Sequence, residues 1–304
     1  MMRALSVSGG GIRGIIPILA LQALEQQTGK LVRDVFQFVA GCSTGSAITA
    51  LIAAGVPMET ALTFYTGPTA KKVFSPASAL IADPKRLIDG WIYDPKNLAK
   101  ALRTALGSAS NWTMDQCPIR CLIITVDTTG KSWFFVQSNP KNSKLTGPCS
   151  LVECTVASCC APTYFDFFPV EVGDQWINMA DGGTAGFANP VAIMAREMFK
   201  YDHLFEPVNT QIVSLGTGQY VAPSAPPIPK GLIATIGFAT NTLVNASEAL
   251  AFDDVADLYP QASVTALNPA LPSDIDEADL SAVPALVKIG QEAAAKIDWS
   301  NILK

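Results

Sequence analysis

At 304 residues, with 49% apolar and only 15% charged side chains, the chain can bury a large core and is excluded from the disordered polymers. Its 21 basic and 26 acidic residues give a formal net charge of −5, which argues against non-specific binding to nucleic acid and against a strong overall polybasic attraction to anionic lipid. In chain order, an apolar strand over 4–8 runs into Gly9, Gly10 and Gly11, and residues 15–27 carry Ile, Leu and Ala at helical spacing. The unit then repeats: a strand over 35–40, a turn between Gly41 and Gly45, and a helix over 46–54 stopped by Gly55 and Pro57. Two such units in succession predict an α/β fold with a parallel sheet under covering helices.

From 66 to 115 the pattern breaks, with Pro and Gly interruptions, Trp91, Trp112 and a helix over 95–106, and the segment reads as an insertion. Strands resume over 120–127 and 132–136, followed by a helix over 150–158 and a short strand over 176–179 leading into the ADGG turn at Ala180 to Gly183. A helix over 191–200 and a buried strand over 211–215 come next. Residues 221–230 are proline-dense and read as a surface crossing, and apolar helical patterns occupy 232–252 and 280–294. The whole chain, 1–304, reads as one domain: a core of 4–65 and 116–220, an insertion and potential lid over 66–115, and a helical C-terminal part over 221–304. The seven cysteines lack paired CxxC units beside a histidine cluster, so no zinc site is expected. Cys121, Cys159 and Cys160 sit in apolar runs and read as small buried hydrophobes in a reducing compartment. No run reaches the ~18 uninterrupted apolar residues of a membrane span, and the N-terminus lacks a signal-peptide run. A soluble, cytoplasmic chain that sits at most on a membrane is expected.

GCSTG, from Gly41 to Gly45, fits GxSxG, in which small residues flank a serine on a sharp strand-to-helix reversal and leave its oxygen exposed at a helix N-terminus. A nucleophilic Ser43 ordinarily needs an imidazole base. The single histidine, His203, lies in the polar, Pro-terminated YDHLFEP and reads as a surface residue, so the base falls to a carboxylate. ADGG in isolation is a common turn. It nevertheless presents Asp181 at a strand end beside Gly182 and Gly183, which makes Asp181 the economical proton acceptor. SGGGIRG, from Ser8 to Gly14, also fits the dinucleotide fingerprint GxGxxG, but no acidic residue stands at the end of the following strand. The favoured alternative leaves the amides of Gly10 and Gly11 bare to hold an oxyanion. For Arg13, a salt bridge that fixes the loop and a contact with substrate phosphate both remain open.

GGGIRG, GCSTG and DGG in that order, with ASCCAPTYF, FDFFPV, ANP and SLGTG, resemble the patatin-like phospholipase family over nearly the whole chain. The resemblance implies a three-layer α/β/α sandwich with a mainly parallel central sheet. It implies a Ser43–Asp181 dyad, an oxyanion hole at Gly10 and Gly11, and supporting motif positions at Gly9, Arg13, Gly14, Gly41, Gly45, Gly182 and Gly183. The implied reaction is hydrolysis of membrane glycerophospholipid esters through an acyl-enzyme, with no metal or cofactor. An aspartate near its ordinary pKa of ~4 is a weak base at neutral pH, so a desolvated site or a modest rate follows. Peripheral membrane contact is expected, with segments 66–112 and 232–252 as candidate lid or membrane face. Alternatives with the same dyad are a general esterase or acyltransferase, and an effector switched on by a small nucleotide or by homo-oligomerisation.

Overall fold

Mostly apolar strands that are buried along nearly their whole length need both faces of a sheet covered, and β-strands of that kind form the centre of this protein. The computed structural model describes residues 1–74, 92–139, 145–202, 204–221 and 247–304. Among these, one sheet holds β1 (Met2–Val7), β2 (Phe38–Cys42), β3 (Arg120–Asp127), β4 (Ser132–Val136), β5 (Phe168–Val172), β6 (Gln175–Asp181), β7 (Thr210–Leu215) and β8 (Ser263–Leu267). Strands β3, β2, β1, β7 and β8 lie side by side and parallel, while β4 and β6 join β3 antiparallel and β5 pairs antiparallel with β6.

Alternate residues of each central strand feed two separate cores. Leu5, Val7, Val39, Ile123, Val213 and Leu215 pack with the helices Ile15–Thr28, Thr44–Ala54, Pro95–Leu106, Leu151–Ser158 and Val283–Ala294. Ala4, Phe38, Ala40, Leu122, Ile124 and Ile212 face the other way, onto the Val191–Arg196 helix and onto Ala251 and Val255 of a helix over 247–258. This period of two through a doubly covered sheet is the three-layer sandwich. The C-terminus is pinned to the first helix by Trp299, which is fully buried and donates its indole N–H to the Ala20 carbonyl at 2.9 Å.

Register decides where the two chemistry-bearing strand ends meet. β4 pairs with Leu122 to Val126 along one edge of β3, so β2 and β6, which share those residues, must both use the opposite edge. Cys42 is the partner of Ile124 and Asp181 the partner of Thr125, so β6 takes over that edge where β2 ends. The last residue of β6 therefore arrives beside the turn that follows β2.

Several elements differ from the sequence expectations. Val32–Val35 is a helical turn closed by the Phe36 N–H on the Val32 carbonyl, so the second strand begins at Phe38 and not at residue 35. The 191–200 helix widens after Arg196 into a π turn, Glu197–Tyr201. β5 and β8 are strands that the sequence pattern did not announce, and β8 lies within the stretch expected to be helical, held parallel to β7. Within the 66–115 segment, Leu98, Leu102, Leu106 and Met114 belong to the main core. His203, Trp91, residues 222–230 and most of the 232–252 helical pattern lie outside the described residues.

Candidate active site

Ser43 joins β2 to the Thr44–Ala54 helix at φ 55° and ψ −127°, a left-handed-side conformation that costs a side-chain-bearing residue ~1–3 kcal/mol. The turn closes because its flanking residues are glycines: a Cβ on Gly41 would overlap the Gly45 carbonyl, and one on Gly45 would overlap the Val7 carbonyl. Ser158 secures the turn from the neighbouring Leu151–Ser158 helix. Its hydroxyl accepts from the Ser43 N–H at 3.0 Å, donates to the Ile124 carbonyl at 2.6 Å and meets the Ser46 hydroxyl at 2.7 Å. Thr44 is held in turn by the buried Tyr65 hydroxyl at 2.5 Å, and Gly14 packs against both.

The glycine loop after β1 lies directly on this turn. Gly9 sits tightly against it: a Cβ there would stand 3.1 Å from Cβ of Ser43, close enough that the serine would have to shift. Gly10 and Gly11 take φ of 146° and 53°, which L side chains rarely adopt. The amides of Ser8, Gly9, Ile12 and Arg13 donate to the carbonyls of Leu215, Ala188, Glu277 and Gly10 respectively. Among the described residues, the amides of Gly10 and Gly11 donate to no protein acceptor, as an anion-binding pair requires. Arg13 is buried and donates to the Gly10 carbonyl at 3.4 Å and to Glu277 at 2.5 Å, an ion pair that fixes the loop. Thr217 of SLGTG closes the loop from below with a 2.6 Å bond to the Gly9 carbonyl. A dinucleotide fingerprint would want a carboxylate at the end of β2, and Cys42 and Ser43 occupy that place.

Asp181 ends β6, is 4% exposed, and has its own N–H bound to the Cys160 carbonyl at 3.0 Å. One carboxylate oxygen accepts from the Gly183 N–H at 2.7 Å and from the Cys42 thiol at 3.6 Å, and the carboxylate interacts with the Ser43 side chain. Gly182 lies against the Ile124 carbonyl, where a side chain would collide. Burial raises the Asp181 pKa to about 6, with Glu277 adding to the rise and Ser43, Gly183 and Cys42 opposing it. This is the desolvated carboxylate that a proton acceptor at neutral pH needs. Beyond Ser43 opens a mainly apolar cavity lined by Phe64, Val73, Phe74, Leu98 and Phe165, with Gly11, Cys159 and Glu277 near its serine end. Among the described residues no cluster of three or more His, Cys, Asp or Glu side chains could hold a metal ion.

The structure thus brings together Ser43, Asp181 and every glycine of the three motifs. It also assembles Glu277, Ser158 and Thr217, whose parts were not legible in sequence. The model of the patatin-like phospholipase family matches residues 5–195, well over half of the chain. The chain is a member of the patatin-like phospholipase family.

Within that family, Patatin-17 of Solanum cardiophyllum is 30% identical over 240 residues, covering 72% of this chain. Patatin-like protein 2 of Oryza sativa subsp. indica is 30% identical over 228 residues, covering 66% of it. The matched stretches span only 61% and 54% of those relatives' own lengths. Among solved structures, VipD from Legionella pneumophila aligns over 99% of this chain and 66% of its own, with a TM-score of 0.45 and 13% identity.

Proposed function

We propose that this patatin-like protein is a serine lipid acyl hydrolase of the phospholipase A type, working through a Ser43–Asp181 dyad on glycerophospholipid esters at a membrane surface. The observation that carries the reading is a buried carboxylate interacting with a strained serine, beside two amides that have no partner among the described residues and at the end of an apolar cavity. Asp181 accepts the Ser43 proton as Oγ attacks the ester carbonyl, and the oxyanion is held by the Gly10 and Gly11 N–H groups. Collapse expels the lysophospholipid alkoxide, which takes the proton back from Asp181. Water then attacks the acyl-enzyme, giving its proton to the same carboxylate, and Ser43 is released with the fatty acid. The apolar cavity suits the acyl chain, and no metal or cofactor enters any step.

Fatty-acid release from mixed phospholipid vesicles by wild type, Ser43→Ala and Asp181→Asn, each checked for folding, tests the proposal. Activity in wild type with a loss of roughly 1,000-fold or more in both variants is expected. Equal release by all three folded proteins would sink the dyad.

A further inference from the structure

The net charge of the chain is negative, yet one stretch departs from it. In the described part of 66–112, Lys71, Lys72, Lys96, Lys100 and Arg103 stand against a single carboxylate, Asp94. Lys96, Lys100 and Arg103 recur at intervals of four and three residues, which places them along one exposed face of the Pro95–Leu106 helix, while Leu98, Leu102 and Leu106 bury the other. None of the three is ion-paired among the described residues. Their near opponents are Asp94, whose carboxylate caps the Lys96 N–H at 2.9 Å, Asp166 across the groove, and Glu153 with its neighbour Glu171; burial raises the Glu153 pKa and the Arg103 charge opposes that rise.

The groove beside that face is completed by the edge strand β5. Asp166, Phe167 and Pro169 line it opposite Lys96, Lys100 and Arg103. Phe167 is 44% exposed and Trp176, the cross-strand partner of Glu171, is 62% exposed. Pro169 and Glu171 of β5 and Trp176 and Asn178 of β6 share one face of the hairpin, and Pro169 and Asn178 of that face line the groove together with Phe167, which immediately precedes β5. Exposed Phe167 beside Lys96, Lys100 and Arg103, with exposed Trp176 on the same hairpin, suits a lipid interface, where rings settle at the headgroups and cations meet phosphate. The position also fits. Leu98 on the inner face of the same helix and Phe165, two residues before Phe167, line the cavity that leads to Ser43.

We propose that the face formed by Lys96, Lys100 and Arg103 with Phe167 and Trp176 is the surface through which this protein docks on an anionic phospholipid bilayer, bringing the adjoining acyl cavity to the membrane. The inference rests on the lipid-ester reading for its purpose, but its test does not need catalysis.

Ser43→Ala protein, which leaves the lipid intact, is sedimented with vesicles of phosphatidylcholine alone or with about 30% phosphatidylglycerol. Binding to the anionic vesicles is expected, released by salt, and weakened on the order of 100-fold by combining Lys96→Gln, Lys100→Gln and Arg103→Gln, at roughly tenfold or less per cation. Trp176→Ser is expected to weaken binding to both kinds of vesicle. A second triple, Lys30→Gln, Lys288→Gln and Lys296→Gln, removes equal charge elsewhere and is expected to bind as the parent does. No binding by the parent, no loss in the first triple, or equal loss in the second would each overturn the proposal. Hydrolysis of a water-soluble short-chain ester, measured with Ser43 restored, separates the two readings: its absence in wild type counts against the hydrolase, while loss in the first triple alone shows that the helix serves the site and not the membrane.

Discussion

Asp181 is a carboxylate kept where ionisation is resisted, so its charge should cost the fold stability, and Asp181→Asn removes that charge in nearly the same shape. The native pKa of about 6, against an ordinary 3.8, corresponds to ~3 kcal/mol at 1.36 kcal/mol per tenfold preference. A carboxyl whose folded pKa is raised binds its proton more tightly in the native state, so the penalty is absent below about pH 4, grows as pH rises through 6 and is complete by about pH 7. The asparagine can still accept from the Gly183 N–H that now sits 2.7 Å from the carboxylate, while its new N–H₂ group offsets roughly 1 kcal/mol if it finds no acceptor. Asp181→Asn is therefore expected to be about 2 kcal/mol more stable than wild type at pH 8, with the advantage shrinking towards pH 5, and to be inactive. Urea unfolding of both proteins at the two pH values measures this. A variant less stable than wild type at pH 8, or an advantage that does not change with pH, would refute the picture of a buried, reluctant anion.

The same carboxylate sets the pH profile: kcat/KM on a soluble ester should rise with pH through about 6 and level off above 7, because only ionised Asp181 can take the serine proton. Glu277→Gln keeps a hydrogen-bond acceptor for Arg13 but removes a charge that raises the Asp181 pKa, so this acidic limb should move to lower pH, and an unmoved limb would count against the field of Glu277 at the site. Ser158→Ala deletes a fully buried hydroxyl that ties the Ser43 N–H to β3, with an expected loss of ~1–3 kcal/mol in urea unfolding and at least tenfold in kcat. Trp299→Ala empties a fully buried site on the Ile15–Thr28 helix, and a loss of ~3–5 kcal/mol is expected in the same unfolding assay.

What was legible in the sequence is what local sterics dictate. The glycines around Ser43 and in SGGGIRG are required by close backbone approach and positive φ, both properties of a few consecutive residues, and so they announce themselves as motifs. The 95–106, 120–127 and 132–136 elements likewise carry their periodicity within themselves and occur at those bounds. Position 35 misled because Val35 and Phe36 continue the apolar run of β2 although they close a helical turn, and apolarity alone does not separate the two. β8 is half-exposed along its length and gains its place only by pairing with β7, a partner some fifty residues earlier. Glu277 was hidden for the same reason. In SDIDEADL it reads as one of several solvated acids, and only the return of the C-terminal segment over the glycine loop puts its carbonyl on the Ile12 N–H and its carboxylate on Arg13.

The central claim is that Ser43 is the nucleophile, activated by Asp181 and facing an acyl slot. Its most direct test is to treat the protein with a long-chain alkyl fluorophosphonate and map the adduct by peptide mass spectrometry. A single phosphonyl adduct on Ser43, absent in Ser43→Ala and formed far more slowly in Asp181→Asn, is the predicted result; a folded protein that stays unlabelled, or is labelled elsewhere with Ser43 untouched, would contradict it.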